Sequence, residues 1–179
     1  MLFRFPHRAG TSFEQLLQPH VQHLYQLAYR FCQNQDDAED LVQDVLIKLY
    51  PRYKELQTIQ NLRPWLAKVL YRQFVDQYRQ KERSPLNLVS DYQSLLETQA
   101  DKSEIEPENA AETTQLQHQL QQVLATLNSD QHAVVILHDV EGFTLSELEI
   151  ILDTPIGTLK SRLNRARGQL RKLLQETED

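Results

Sequence analysis

Apolar side chains return every three or four residues along most of this sequence, a spacing that lines them up on one side of an α-helix and on neither face of a strand. Leu17, Val21, Leu24, Ala28 and Phe31 make one such stripe, and Leu41, Val42, Val45, Leu46 and Leu49 make a second. A third helix opens with Asn61 as its expected cap and Pro64 in its first turn, then carries Trp65, Leu66, Val69, Leu70 and Phe74. Its expected end is near Ser84-Pro85. Each stripe needs a partner to cover it, so these helices should form one small bundle. Period-two alternation of β-branched residues is scarce, and 4 glycines with 7 prolines are too few for a fold built on many tight turns. The expected fold class is all-α.

The period lapses between residues 84 and 114, where the composition turns acidic and polar around Pro85 and Pro107. Leu88, Tyr92 and Leu95 offer a short amphipathic turn or two, too little apolar surface to offset the entropy of ordering, so a flexible acidic linker is expected here. From Gln115 the period returns with Leu116, Leu120, Val123, Leu124 and Leu127. Ser129 or Asp130 is the expected cap of a helix carrying Val134, Leu137 and Val140 and stopping at Gly142. Thr144 and Glu147 have capping-box spacing for a short helix through Leu152. After a turn at Asp153, Thr154 and Pro155 start a last helix with Ile156, Leu159, Leu163, Ala166, Leu170 and Leu173 on one face. A short helix, a tight turn and a long helix make a helix-turn-helix. The chain thus reads as two small helical domains, residues 1–83 and 115–179, joined by the linker 84–114.

A net charge of −6 argues against nucleic-acid binding only if charge is spread evenly, and it is not. Residues 1–85 hold 12 Lys/Arg against 9 Asp/Glu, residues 86–115 hold 1 against 7, and residues 116–179 hold 6 against 9. Those last six cations, Lys160, Arg162, Arg165, Arg167, Arg171 and Lys172, all lie on the final helix, with no acid between Gly157 and Lys172. At about 100° per residue, Gly157, Thr158, Ser161, Asn164 and Arg165 lie opposite the apolar stripe, where side chains of these types can read base edges in a major groove. Lys160 and Arg162 lie towards the flanks and suit phosphates. A solvated basic face explains the charge alone; the short capped helix just before it favours DNA.

Two further stretches stand out. The helix from Arg63 interleaves Lys68, Arg72 and Arg79 with Trp65, Tyr71, Phe74 and Tyr78, a mixture that suits an unstacked strand, since rings take bases and cations take the backbone. Trp65 and Phe74 match the apolar face and are expected in the core; Tyr71 and Tyr78 are more open to a ligand. At the second helix, Asp36 with Glu39 makes a capping pair that accounts for part of an acidic cluster. Asp40, Gln43, Asp44 and Ile47 continue opposite the apolar stripe beyond the first turn, which fits either simple solvation or docking of a basic partner.

The remaining classes find little support. Cys32 is the only cysteine, no Cys/His set has zinc spacing, and the pair His20 and His23 lacks further ligands, so neither metal nor cofactor is expected. The six histidines have no matching nucleophile and no glycine-rich phosphate loop is present, so the chain is not expected to be an enzyme. Arg4, Pro6, His7 and Arg8 interrupt the apolar residues of the N-terminus, which leaves no signal-peptide core; a cytoplasmic protein without membrane insertion is expected.

Taken in order, the run Asp37-Ala38-Glu39-Asp40-Leu41-Val42-Gln43-Asp44-Val45, then Pro64-Trp65-Leu66, then Gly157-Thr158-Leu159-Lys160-Ser161-Arg162-Leu163 with Arg165-Ala166-Arg167, resembles a bacterial RNA polymerase sigma factor of the extracytoplasmic-function (ECF) class over residues 12–83 and 116–174. The resemblance implies that Asp40, Gln43, Asp44 and Ile47 dock on the clamp helices of core RNA polymerase. It implies that Lys68, Arg72, Asp76 and Arg79 contact the opened minus-ten promoter strand, with Tyr71 an added candidate and the loop around Ile59 to Asn61 cradling a flipped base. It further implies that the C-terminal motif reads the minus-thirty-five element and rests on the polymerase flap, that the linker threads towards the active-site and RNA-exit channels, and that an anti-sigma factor is a partner. Three positions depart from the pattern. Arg72 stands where many relatives carry Asn, which bears on minus-ten base preference. Glu149 replaces a small residue and Asp153 a turn glycine; both are expected to loosen the helix crossing or to sit solvated at its edge. A stand-alone helix-turn-helix regulator that dimerises through its first domain, and a sigma-like module that sequesters a regulator, remain as alternatives.

Overall fold

A computed structural model describes residues 12–83 and 126–178, and every regular element among them is helical. The helices fall into two compact units. The first holds α1 (Ser12–Cys32), α2 (Gln35–Leu49), α3 (Tyr53–Leu56) and α4 (Leu62–Arg83). The linker residues 84–114, with Leu88, Tyr92 and Leu95, lie outside the described residues, as do Leu116, Leu120, Val123 and Leu124.

Two residues join α1 to α2. Gln33 takes a left-handed backbone (φ 53°) and donates its N–H to the Tyr29 carbonyl at 2.8 Å, ending α1 as a C-terminal glycine would. Asn34 then caps α2, its side chain accepting from Asp37 N at 2.8 Å. The expected Asp36–Glu39 capping pair is therefore corrected: Asn34 is the cap, and Glu39 accepts instead from Gln35 Nε2 at 3.1 Å. Asn34→Ala should cost about 1 kcal/mol. The only tryptophan, Trp65, belongs to this unit, so its fluorescence during urea unfolding measures that loss; an unchanged midpoint would count against the cap.

The stripes of α1 and α2 are buried as their spacing requires, with Leu17, Leu24, Ala28, Leu41, Val42, Val45 and Leu49 all essentially inaccessible. From α4, Leu66, Ala67 and Leu70 join this core, and Phe74 stacks on Phe31 with ring centroids 5.2 Å apart. A single 3-10 turn (Tyr50–Arg52) and the short α3, neither legible from periodicity, follow α2 and bury Leu56.

The second unit opens on a capping box: Asn128 Oδ1 accepts from Gln131 N at 2.9 Å, and Gln131 Oε1 accepts from Asn128 N at 3.2 Å. The cap is thus Asn128 rather than Ser129 or Asp130. It starts α5 (Ser129–Val135), which runs into a π turn (Ile136–Val140) closed by Glu141 N donating to Ile136 O at 2.9 Å. A π turn advances each residue by a smaller angle than an α-helix, so Val140, expected beside Val134 and Leu137, rotates outward and is 48% exposed. Gly142 at φ +72° then reverses the chain, letting Phe143 N reach Leu137 O at 3.0 Å while the Phe143 ring is buried.

The expected Thr144–Glu147 capping box is present, with Glu147 N donating to Thr144 Oγ1 at 3.2 Å and Thr144 N to Glu147 Oε2 at 2.8 Å. It opens α6 (Leu145–Leu152). Asp153 makes the turn in a left-handed conformation (φ 53°, ψ 44°) that glycine usually supplies. Then α7 (Ile156–Glu178) begins, Pro155 O accepting from Leu159 N at 3.0 Å and the face Leu159, Leu163 and Ala166 buried.

Candidate polymerase and nucleic-acid interfaces

Burial of Leu159, Leu163 and Ala166 turns the opposite side of α7 to solvent. Gly157, Thr158, Lys160, Asn164 and Arg165 are exposed there, while Ser161 is half-buried and donates its hydroxyl to Thr158 O at 2.8 Å. Arg162 is also half-buried and pairs with Asp130 at 2.6 Å. Arg167 holds both oxygens of Asp139, one through its Nε at 3.0 Å, and His138 Nδ1 lies 2.8 Å from the same carboxylate. The hydrogen bond from Arg167 is the chief reason the Asp139 carboxyl lies below its ordinary value. Two of the six cations of α7 are therefore engaged by carboxylates of the segment before it, and the exposed positive charge centres on Lys160, Arg165, Arg171 and Lys172. These pairs join residues far apart in sequence, and no local spacing announces them.

Glu149 does not disturb the turn. It is exposed, and its Oε1 accepts from Ile156 N at 3.2 Å, satisfying one of the N–H groups that the first turn of α7 leaves without an intrahelical partner. Asp153 is exposed at the edge of the same turn.

On α4, Arg72, Asp76 and Arg79 are exposed and Lys68 is half-buried, all on one stripe. At about 100° per residue, half-buried Trp65 lies on this stripe rather than on the buried face expected for it, and the Arg52 guanidinium covers its ring at 5.8 Å. Tyr71 is turned aside: its ring rests on Phe31 at 5.4 Å, and Tyr78 similarly lies against Phe74 at 6.3 Å. The loop before α4 is a tight turn in which Ile59 N donates to Leu56 O at 3.2 Å; Ile59 is half-buried and Asn61 exposed.

On α2, Asp40, Gln43, Asp44 and Ile47 all face solvent, Ile47 with 70% of its surface exposed. Asp44 is also tied to α4, accepting from Gln77 Nε2 at 2.9 Å, and one turn on Lys48 Nζ donates to Gln73 Oε1. Tyr50, which sequence reading passed over, continues the strip at three residues from Ile47; it is 58% exposed and braced edge-on by Phe13 at 5.3 Å.

Comparison with known proteins matches the Sigma-70 region 2 family to residues 16–84 and the Sigma-70 region 4 family to residues 117–170. Among curated relatives, the ECF RNA polymerase sigma factor SigE of Mycolicibacterium smegmatis is 32% identical over 172 residues, 93% of this chain and 63% of SigE. The ECF RNA polymerase sigma factor EcfG of Rhodopseudomonas palustris is 31% identical over 142 residues, 79% of this chain and 73% of EcfG. Among solved structures, the sigma factor RpoE of Bartonella quintana, determined in complex with the anti-sigma factor NepR, superposes with a TM-score of 0.69 at 29% identity, covering 92% of this chain and 97% of RpoE. Both promoter-factor regions thus occur in this chain, in order and on the two helical units described above, and the chain belongs to the ECF class of RNA polymerase sigma factors, which direct promoter-specific transcription.

Proposed function

We propose that this chain starts transcription by using three surfaces at once. Asp40, Gln43, Asp44 and Ile47 dock on the clamp helices of core polymerase. Ile59, Asn61, Lys68, Arg72, Asp76 and Arg79 hold the opened minus-ten strand, with Tyr71 supporting that surface from its seat on Phe31. Gly157, Thr158, Lys160, Ser161, Asn164 and Arg165 read the minus-thirty-five duplex beside the flap, and Arg162 reaches a phosphate only by leaving Asp130. In this reading residues 1–83 and 115–179 are the two working domains and 84–114 their tether.

The observation that carries it is Ile47, a large apolar side chain left in water one turn beyond Asp44, which gains nothing for folding and suits a partner that covers it. Gly157 adds support: a Cβ there would meet nothing within 4 Å, so the protein's own packing does not demand glycine, whereas close approach to a DNA backbone does. No helix among the described residues is long and apolar enough to cross a membrane, and we place the chain in the cytoplasm with the polymerase, acting as a binding factor and not an enzyme. Because the similar RpoE is bound by NepR, we infer an anti-sigma partner here too.

Purified chain added to core polymerase should co-purify with it and yield discrete start sites on genomic fragments; failure of both would end this reading. Within it, Arg165→Ala should weaken duplex binding about ten- to a hundredfold, the worth of one bidentate base contact. Arg162→Ala should cost less, since that guanidinium already has a carboxylate partner.

A further inference from the structure

The N-terminal end of a helix offers N–H donors and a partial positive charge, the features that a DNA phosphate seeks. In α7 one of those donors, Ile156 N, is already taken by Glu149 at 3.2 Å. We propose that Glu149 is an electrostatic governor of duplex binding: its carboxylate occupies the end of α7 that a phosphate would approach and holds affinity for DNA down. This rests on the assignment of α7 as the DNA-reading helix.

Three observations lead to it. Glu149 is exposed, so its charge is presented outward instead of being absorbed by the core. Asp153, also exposed, adds a second carboxylate within the same turn, while the cations of α7 begin only at Lys160. Finally, in a helix-turn-helix the N-terminal residues of the second helix enter the groove and the first helix crosses the backbone, so a carboxylate bridging the two meets phosphates from close range. For the free protein this arrangement is favourable, because an anion at the N-terminal end of α7 suits the helix dipole. On DNA the same anion competes with phosphate for Ile156 N and repels its neighbours. A carboxylate can also accept from a cytosine amino group, and that role would have the opposite consequence.

Anisotropy of a fluorescent random-sequence duplex at low salt, titrated with the full chain, separates these outcomes. Glu149→Gln keeps an oxygen acceptor for Ile156 N and removes only the charge. It should tighten binding by about three- to tenfold, and the gain should shrink as KCl shortens the screening length. A merely structural role would instead move the unfolding midpoint and leave the salt dependence of binding unchanged. Lys160→Glu, a charge reversal at the exposed cation of α7 that suits phosphates, serves as the companion. If it weakens binding while Glu149→Gln leaves affinity unchanged or lowers it, the governor is overturned and α7 remains the DNA helix. If Lys160→Glu also has no effect, the assignment of α7 falls and takes this inference with it.

Discussion

Replacing Asp40 and Asp44 together by lysine should lower affinity for core RNA polymerase by about a hundredfold or more, because reversing two charges across an interface substitutes repulsion for attraction at each. The fold should tolerate the change. Both side chains are exposed on α2, away from the buried face of Leu41, Val42, Val45 and Leu49, and surface substitutions of this kind typically stay within about 0.5 kcal/mol each. The added costs are small: loss of the exposed hydrogen bond from Gln77 to Asp44, and a like-charge pair between the new lysine and Lys48 one turn on. Asp40→Lys alone tests docking without touching the bond to α4. Competition of each variant against unaltered chain for core polymerase, with a thermal melt as control, gives the answer. Unchanged competition by a folded double variant would remove α2 as the docking element and return its acidic strip to simple solvation.

The long stripes of α1, α2, α4 and α7 are legible because each repeats over three or more turns, so a single misassigned residue cannot change the face. Caps are less so. Asn34 and Asn128 each lie one or two positions ahead of the expected residue, since Asn, Asp and Ser side chains all accept from a backbone N–H and only the local backbone angles choose among them. The π turn has no pattern of its own, and it turns Val140 further from the core face than regular helical spacing would. Trp65 and Tyr71 sit at the borders of α4's buried face, where an aromatic ring fits either side and the position of Arg52 or Phe31 decides. The candidate DNA face of α7 follows from helical geometry, but a tally of its cations overstates what phosphates can reach, because Asp130 and Asp139 engage two of them from a distance in sequence that no periodicity covers.

Acid should unfold the second unit before it disturbs the first, and His132 is the reason. Its side chain lies within α5 at 2% exposure, and burial pushes its pKa from an ordinary 6.5 down to about 4. The imidazole is therefore neutral when folded and charged when unfolded over the interval between those values. In that interval the unfolded chain binds the extra proton, so stability rises with pH; the contribution is complete above pH 6.5 and is lost as the pH falls towards 4. The full loss is on the order of 3 kcal/mol, comparable to the whole stability that a domain of this size commonly holds, about 3–5 kcal/mol. Asp139, held low chiefly by Arg167, loses its ion pair only at still lower pH, below its ordinary 3.8, so the two effects occupy separate windows. Hydrogen exchange followed by mass spectrometry resolves the units within the intact chain: peptides from α5 to α7 should lose protection between pH 6.5 and 4, while those from α1 and α2 should lose less, since His20 on α1 is lowered by burial in the same direction but is only half-buried. His132→Leu removes the titrating group from a buried site, and in that variant the protection of α5 to α7 should be nearly level across the same interval. If the unaltered chain is equally protected at pH 7 and pH 4.5, the imidazole is not buried in its neutral form, and the packing assigned to α5 must be wrong around that side chain.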